Sequence, residues 1–109
     1  MPARQLYSAT AVTTTESGTA VDIGDQVTEH AGYRATVIAS SFSGTPTFDL
    51  VVEDSPDGTN WFTRATFTQL TANGSESIAV SGPVHAGHVR ITNTVGGGTP
   101  SGDFVVYVE

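Results

Sequence analysis

The sequence predicts an all-β protein, an antiparallel β-sandwich of about eight strands in an Ig-like or jelly-roll-like arrangement. Three observations carry that expectation. Apolar and polar residues alternate at the period of a strand in one segment after another. Clusters of Gly, Pro, Asn and Asp punctuate those segments at short spacing. No stretch has the recurrence of an amphipathic helix.

In chain order, residues 6–12 form a first short strand and 13–18, rich in Thr, Ser and Gly, a polar loop. Residues 19–23 form a second strand, and 26–32 an irregular connection. Residues 33–40 are a third strand, with Tyr33, Ala35, Val37 and Ala39 on one parity and Arg34, Thr36, Ile38 and Ser40 on the other.

The clearest unit is the β-hairpin over residues 46–67, which supplies the fourth and fifth strands. Phe48, Leu50 and Val52 alternate with Asp49, Val51 and Glu53 until Ser55-Pro56-Asp57-Gly58 stops the strand. Pro56 presets φ, Asp57 can accept from the backbone ahead of it, and Gly58 takes positive φ at no cost. The chain resumes with Trp61, Thr63, Ala65 and Phe67 on one parity and Phe62, Arg64 and Thr66 on the other. The single tryptophan, at the start of a strand, is expected as a core anchor beside Phe48, Leu50 and Val52. Phe62 has the opposite parity, which makes it a candidate interface residue.

Asn73-Gly74 turns the chain into a sixth strand over 77–81, and Gly82-Pro83 ends it. Residues 88–94 form a seventh strand, whose Val89 and Ile91 join the expected core. Gly96-Gly97-Gly98-Thr99-Pro100 reads as a further turn, leading into an eighth strand over 103–109. That strand is apolar on both parities, Phe104, Val106 and Val108 against Val105 and Tyr107. A half-solvated antiparallel sheet shows one apolar face. The second face, Val105 and Tyr107, therefore calls for a cover, either another subunit or the loop of residues 13–18.

The chain also carries an internal echo. Arg34 stands as far from Gly44-Thr45-Pro46 as His88 does from Gly98-Thr99-Pro100, and each Gly-Thr-Pro leads into an apolar strand begun by Phe48 or Phe104. Each half is expected to supply one strand–turn–strand unit, the two packed face to face.

At 109 residues the chain forms one domain, of a size that buries roughly two-thirds of its unfolded surface. Residues 1–5 have the look of a terminal arm, and their composition lacks the apolar core of a signal peptide. The chain has no cysteine for a disulfide and no run of the roughly 20 apolar residues a spanning helix needs. Eleven acidic residues against four arginines give a net charge of −7. That excludes a basic patch for phosphates and argues against nucleic-acid binding.

Candidate chemistry is sparse, and no metal or cofactor is expected. Residues 54–60 place Asp54, Asp57 and Asn60 near Gly58, the hard oxygen ligands that calcium takes. Set on the spacing of an EF-hand loop, however, the closing carboxylate position falls on Arg64. The same residues are what a tight turn asks for. His30, His85 and His88 have no cysteine partners, and positions three apart on a strand face opposite ways. No Gly-x-Ser-x-Gly elbow accompanies the many hydroxyls. The reading is of a protein that is not an enzyme.

Asp57-Gly58-Thr59-Asn60-Trp61, preceded by Val51-Val52-Glu53-Asp54-Ser55 and followed by Gly82-Pro83, Val89-Arg90-Ile91 and Gly98-Thr99-Pro100-Ser101, resembles small β-sandwich proteins encoded among the structural genes of tailed bacteriophages. That resemblance, from about Tyr33 onward, implies a virion component made in the host cytoplasm. Its first form is a capsid decoration (cement) protein that binds the major capsid protein or another virion protein. A homo-oligomer is expected, naturally a trimer at a symmetry axis. The alternatives are a neck or tail accessory protein, or a carbohydrate-binding sandwich that stacks sugars on exposed aromatic rings.

Overall fold

The computed structural model describes residues 4–22, 32–81 and 87–109. All regular structure among them is β: β1 (Arg4–Ala9), β2 (Glu16–Ser17), β3 (Val21–Asp22), β4 (Tyr33–Ser55), β5 (Phe62–Thr66), β6 (Gly74–Val80) and β7 (His88–Val108). The all-β, antiparallel expectation holds. The strands do not form two separate sheets: they make one seven-stranded sheet in which β7 and β4 are central, β1, β2 and β3 pair with β7, and β5 and β6 pair with β4.

The difference lies in the two Gly-Thr-Pro segments. Both were expected to reverse the chain, and both lie inside strands. β4 and β7 run antiparallel beside one another from Ala35↔Val108 to Ser55↔His88, with Thr45 opposite Gly98 at the middle. Register shifts at Ser40/Ser43 and Ser43/Thr45 mark bulges there, and bulges bend a strand without ending its pairing. Ser41, Gly44, Gly97 and Thr99 all have positive φ. At this waist the two backbones come so close that a Cβ on Gly44 would lie 2.2 Å from the Thr99 carbonyl oxygen and one on Gly97 2.0 Å from that of Thr45. Pro46 is tolerated because bulges are where a strand can do without a ladder donor.

Each long strand is shadowed by a broken outer ribbon. Residues 4–22 follow β7 through β1, β2 and β3, and residues 62–80 follow β4 through β5 and β6. Between β5 and β6 the shadowing continues, with Phe67 N–H donating to the Leu50 carbonyl at 3.0 Å and Phe48 and Leu70 exchanging two bonds of 2.9 Å. The hairpin expected around residues 46–67 is the β4–β5 pair. Arg4 and Gln5, expected in a terminal arm, are strand residues opposite Val108 and Tyr107.

Bending at the waist divides the sheet into two lobes whose inner faces meet. Lobe 1 contains β6, the first half of β4, the second half of β7, and β1; lobe 2 contains β5, the second half of β4, the first half of β7, β2 and β3. Strand parity decides what each lobe buries. Ala35, Val37, Val106 and Val108 from lobe 1 and Phe48, Leu50, Val52, Val89 and Ile91 from lobe 2 are all 0 % exposed. Full burial of a Val, Leu, Ile or Phe contributes about 1.5–3 kcal/mol, so this shared interior supplies the main stabilising term.

The lobes are related by a pseudo-two-fold through the waist, and the register keeps it residue by residue over β1 and β2, while the β3 pairs Val21↔Val89 and Asp22↔His88 fall one residue from their counterparts Arg34↔Ala79 and Tyr33↔Val80. Moving the outer ribbon by 58 positions and the long strand by 54 turns Arg4↔Val108, Gln5↔Tyr107, Tyr7↔Val106 and Ser8↔Val105 into the observed Phe62↔Asp54, Thr63↔Glu53, Ala65↔Val52 and Thr66↔Val51. The bulge is conserved in the operation, Leu6 on one side and Arg64 on the other. Glu16↔Asn93 and Ser17↔Thr92 likewise become Gly74↔Ala39 and Ser75↔Ile38. The echo between Arg34–Gly44 and His88–Gly98 is thus structural, since both pairs sit 54 apart. Phe48 and Phe104 are two positions out of register: the counterpart of Phe104 is Leu50, and that of Phe48 is Gly102.

Candidate binding surface

The two outer faces, equivalent by symmetry, differ in chemistry. On lobe 1 the outward parity of β4 and β7 brings Ile38 beside Val105 and Thr36 beside Tyr107. Ile38 is 47 % exposed, one of two large apolar residues so open among the described ones, and Val105 and Tyr107 are half-buried. The row continues into small polar side chains, Ser75 and Ser77 on β6 and Ser8 on β1. The Thr36 and Ser77 hydroxyls are 2.9 Å apart. A shallow depression of about 170 Å³ opens between Ile38, Val105, Ser8 and Asp103. The Asp103 carboxylate at its rim accepts from the Ala11 N–H at 2.8 Å.

The loop of residues 13–18, one of the two expected covers, lies elsewhere. Thr15 accepts from the Val95 N–H at 3.0 Å and β2 pairs with Asn93 and Thr92, all in the lobe 2 half of β7. Val105 and Tyr107 lie clear of it. Sequence parity marked Val105 and Tyr107 but passed over Ile38, whose signal was being the one large apolar residue on the outward parity of its strand.

On lobe 2 the symmetry counterparts of Ile38, Val105, Tyr107 and Thr36 are Thr92, Val51, Glu53 and Arg90. Here charge replaces the apolar row. Arg90 Nε donates to Glu53 Oε1 at 2.8 Å, and the Thr92 hydroxyl donates to the same oxygen at 2.7 Å. Partial burial would raise the Glu53 carboxyl, but the Thr92 hydroxyl and the Arg90 guanidinium outweigh it and hold the group below the usual carboxylate range.

Trp61 belongs to this outer cluster. It was expected as a core anchor; it is half-buried, outside the interior, with the Arg90 guanidinium 4.2 Å above its ring. The reason is the bulge in β5, which shifts the register between Val52 and Glu53 and breaks the simple parity count from Phe67 back to Trp61. Phe67 is the residue of that segment that fills the interior, at 2 % exposure. Phe62 is 50 % exposed.

The turn at residues 55–60 closes on itself. The Asp57 Oδ1 atom accepts from the Thr59 and Asn60 N–H groups and from the Ser55 hydroxyl, and Oδ2 accepts from the Asn60 amide. Those bonds, from Asn60 and Thr59 first, hold the Asp57 carboxyl far below its usual range. Gly58 has φ of 77°, and a Cβ there would sit 3.5 Å from the His88 ring, which packs against the turn. His30 and His85 lie outside the described residues. Among those described, no three His, Cys, Asp or Glu side chains gather as a metal would need.

At the end of lobe 2 a second ion pair is half-buried. Arg64 Nε donates to Asp54 Oδ2 at 2.8 Å, with the Asp54 side chain fully enclosed. The counterparts at the end of lobe 1 are Leu6 and Val108, both buried and apolar. Burial, with the Asp54 charge nearby, pushes the Tyr33 hydroxyl strongly upward. Burial likewise raises Tyr7 to about 12, and its hydroxyl donates to Glu16 at 2.9 Å.

No protein-family model matches the chain, and no curated protein matches it in sequence. Among solved structures it is similar to PBSX exported protein XepA, with a TM-score of 0.58 at 19 % identity. The likeness covers 98 % of this chain and 36 % of that one, so the chain spans little more than a third of its neighbour. At that identity the likeness is one of fold alone.

Proposed function

We propose that the chain is a non-enzymatic bacteriophage virion protein, a capsid decoration protein whose lobe 1 outer face docks on the major capsid protein. The observation that carries this reading is the contrast between two faces that symmetry makes equivalent. One is closed by the Glu53–Arg90–Thr92 cluster, while the other leaves Ile38, Val105 and Tyr107 in a hydroxyl-rimmed row on a rigid sheet. Apolar and aromatic residues inside a polar rim are the usual anatomy of a protein interface. On a chain of net charge −7, a patch whose charged neighbours, Asp103 and Arg34, stand only at its edge is also where a partner meets little repulsion. The resemblance of residues 51–61 and 98–101 to phage structural proteins supplies the partner class. A carbohydrate-binding role asks for a row of open aromatic rings, whereas Trp61 lies under Arg90 and Tyr107 sits on the other lobe.

The test is to band particles of the phage that encodes the chain on a density gradient and quantify the chain by mass spectrometry. Many copies in head-containing fractions, released when Ile38→Asp is introduced, support the reading. Its absence from particles, or confinement to tails, overturns it. A particle-free oligomer dissociated by the same substitution would assign the face to a second copy of the chain.

A further inference from the structure

We propose that this chain is a fused dimer, two copies of one ribbon-plus-long-strand unit, and that a second copy of the chain can supply either unit by exchange. The first unit is residues 4–22 with β4, the second residues 62–80 with β7. Each ribbon pairs with the long strand of the other unit: residues 4–22 with β7, residues 62–80 with β4. Neither unit covers its own strand. The surface each presents is complementary to a copy of itself, as in an isologous two-fold interface.

Three further observations support the two-fold. The registers superpose down to the bulge at Leu6 and Arg64. The sequence writes His-Ala-Gly immediately before both long strands, at 30–32 and 85–87, and Gly-Thr-Pro at both midpoints, at 44–46 and 98–100. The waist also shows what fusion permits. Phe42 and Phe48 of the first unit fill the space beside the axis, while their counterparts are Gly96 and Gly102. A Cβ on Gly102 would lie 2.7 Å from the Phe42 ring and 3.1 Å from that of Phe48. Two identical units cannot divide a shared volume into large and small; two units on one chain can.

The link between units is the turn at residues 56–61, built around Asp57. Pairing of Asp54 with Phe62 depends on that turn closing. With a link too short to close, the second unit can reach a first unit only on another chain, the usual origin of domain-swapped dimers. Exchange does not depend on the virion reading, because it uses the inner ladder and not the outer face.

The experiment deletes residues 56–61, which leaves Ser55 alone between the paired Asp54 and Phe62 and is shorter than the two residues the tightest hairpin loop needs. It measures mass by light scattering and native structure by hydrogen exchange of the β4–β7 ladder. The expected result is a doubled mass with the ladder still protected. The same deletion carrying Val105→Asp should remain a dimer. A folded monomer, or a dimer lost with Val105→Asp, overturns the proposal. If the shortened chain does not fold, a circular permutant decides. Glu109 is joined to Arg4 by a copy of the residue 56–61 turn, and the chain is opened in the original turn. Because Arg4↔Val108 and Phe62↔Asp54 are equivalent junctions, the permutant should fold as a monomer melting within a few degrees of the parent; failure to fold overturns the proposal.

Discussion

Phe48 and Phe104 pack edge to face with ring centroids 4.7 Å apart, although the ladder pairs Phe104 with Ala39, nine residues from Phe48 along β4. On a straight strand that separation is about 30 Å. The contact therefore records the fold of the ribbon at its waist, and Phe42 completes the cluster at 5.0 Å from Phe48 and 5.5 Å from Phe104. Phe48→Ala should cost about 3–5 kcal/mol, as large aromatic truncations in cores do. Urea denaturation should show it as a lower midpoint at unchanged slope.

Trp61→Ala should cost far less, about 0.5–1 kcal/mol, because it removes a half-exposed ring and one cation–π contact rather than a core residue. The same denaturation series compares it with Phe48→Ala. Equal losses would contradict the assignment of Phe48 to the interior and Trp61 to the surface cluster.

How far the sequence foretold this is clear from these residues. Parity placed Phe48, Leu50, Val52, Val89 and Ile91 on one face of their strands, and the turn residues 55–58 fixed the β4–β5 hairpin, because both signals are local. Gly-Thr-Pro was ambiguous: glycine and proline mark a bulge as readily as a reversal, and only pairing along the full length of β4 and β7 separates the two. Trp61 was misplaced for a related reason, since one bulge residue, Arg64, inverts every parity before it. The outer face was half legible. Val105 and Tyr107 stand out in an apolar run, but Ile38 gains meaning only when β7 lies beside it.

Gly97→Ala should be the most damaging single-methyl change at the waist. It adds left-handed strain, about 1–2 kcal/mol, to a Cβ placed 2.0 Å from the Thr45 carbonyl oxygen. Gly74→Ala, with nothing within 4 Å of the added carbon, is the control. Thermal melts of the pair should differ by several degrees.

The pseudo-two-fold predicts that the half-buried Arg64–Asp54 pair can be exchanged for its counterparts. Asp54→Val alone leaves Arg64 without its partner carboxylate, and Arg64→Leu alone strands a buried carboxylate at a cost of about 3–5 kcal/mol. The double variant, which writes the Leu6–Val108 arrangement into lobe 2, should recover most of that loss, because apolar replacement of a buried ion pair is often neutral. A double-mutant cycle in denaturant measures the coupling.

Stability should fall on both sides of neutral pH. The Glu53 carboxyl is lowered in the folded protein, so its contribution is present above the unfolded carboxylate pKa and lost as pH drops through the folded one. Tyr7, raised to about 12, and Tyr33, raised further in the same direction, contribute stability that is complete below the ordinary tyrosine pKa of about 10. It is lost as pH climbs through their folded values. Tyr7→Phe should therefore flatten the alkaline limb of a Tm-against-pH curve and leave the acid limb unchanged.

The docking claim is tested most directly by a matched pair of substitutions at symmetry-related positions, Val105→Asp on lobe 1 and Val51→Asp on lobe 2, both half-buried on outward parity. Each folded variant is added to particles stripped of the native chain, and rebinding is read by sedimentation. The account predicts that Val51→Asp rebinds like the parent while Val105→Asp stays in the supernatant. Equal rebinding of both, or equal loss, would contradict it.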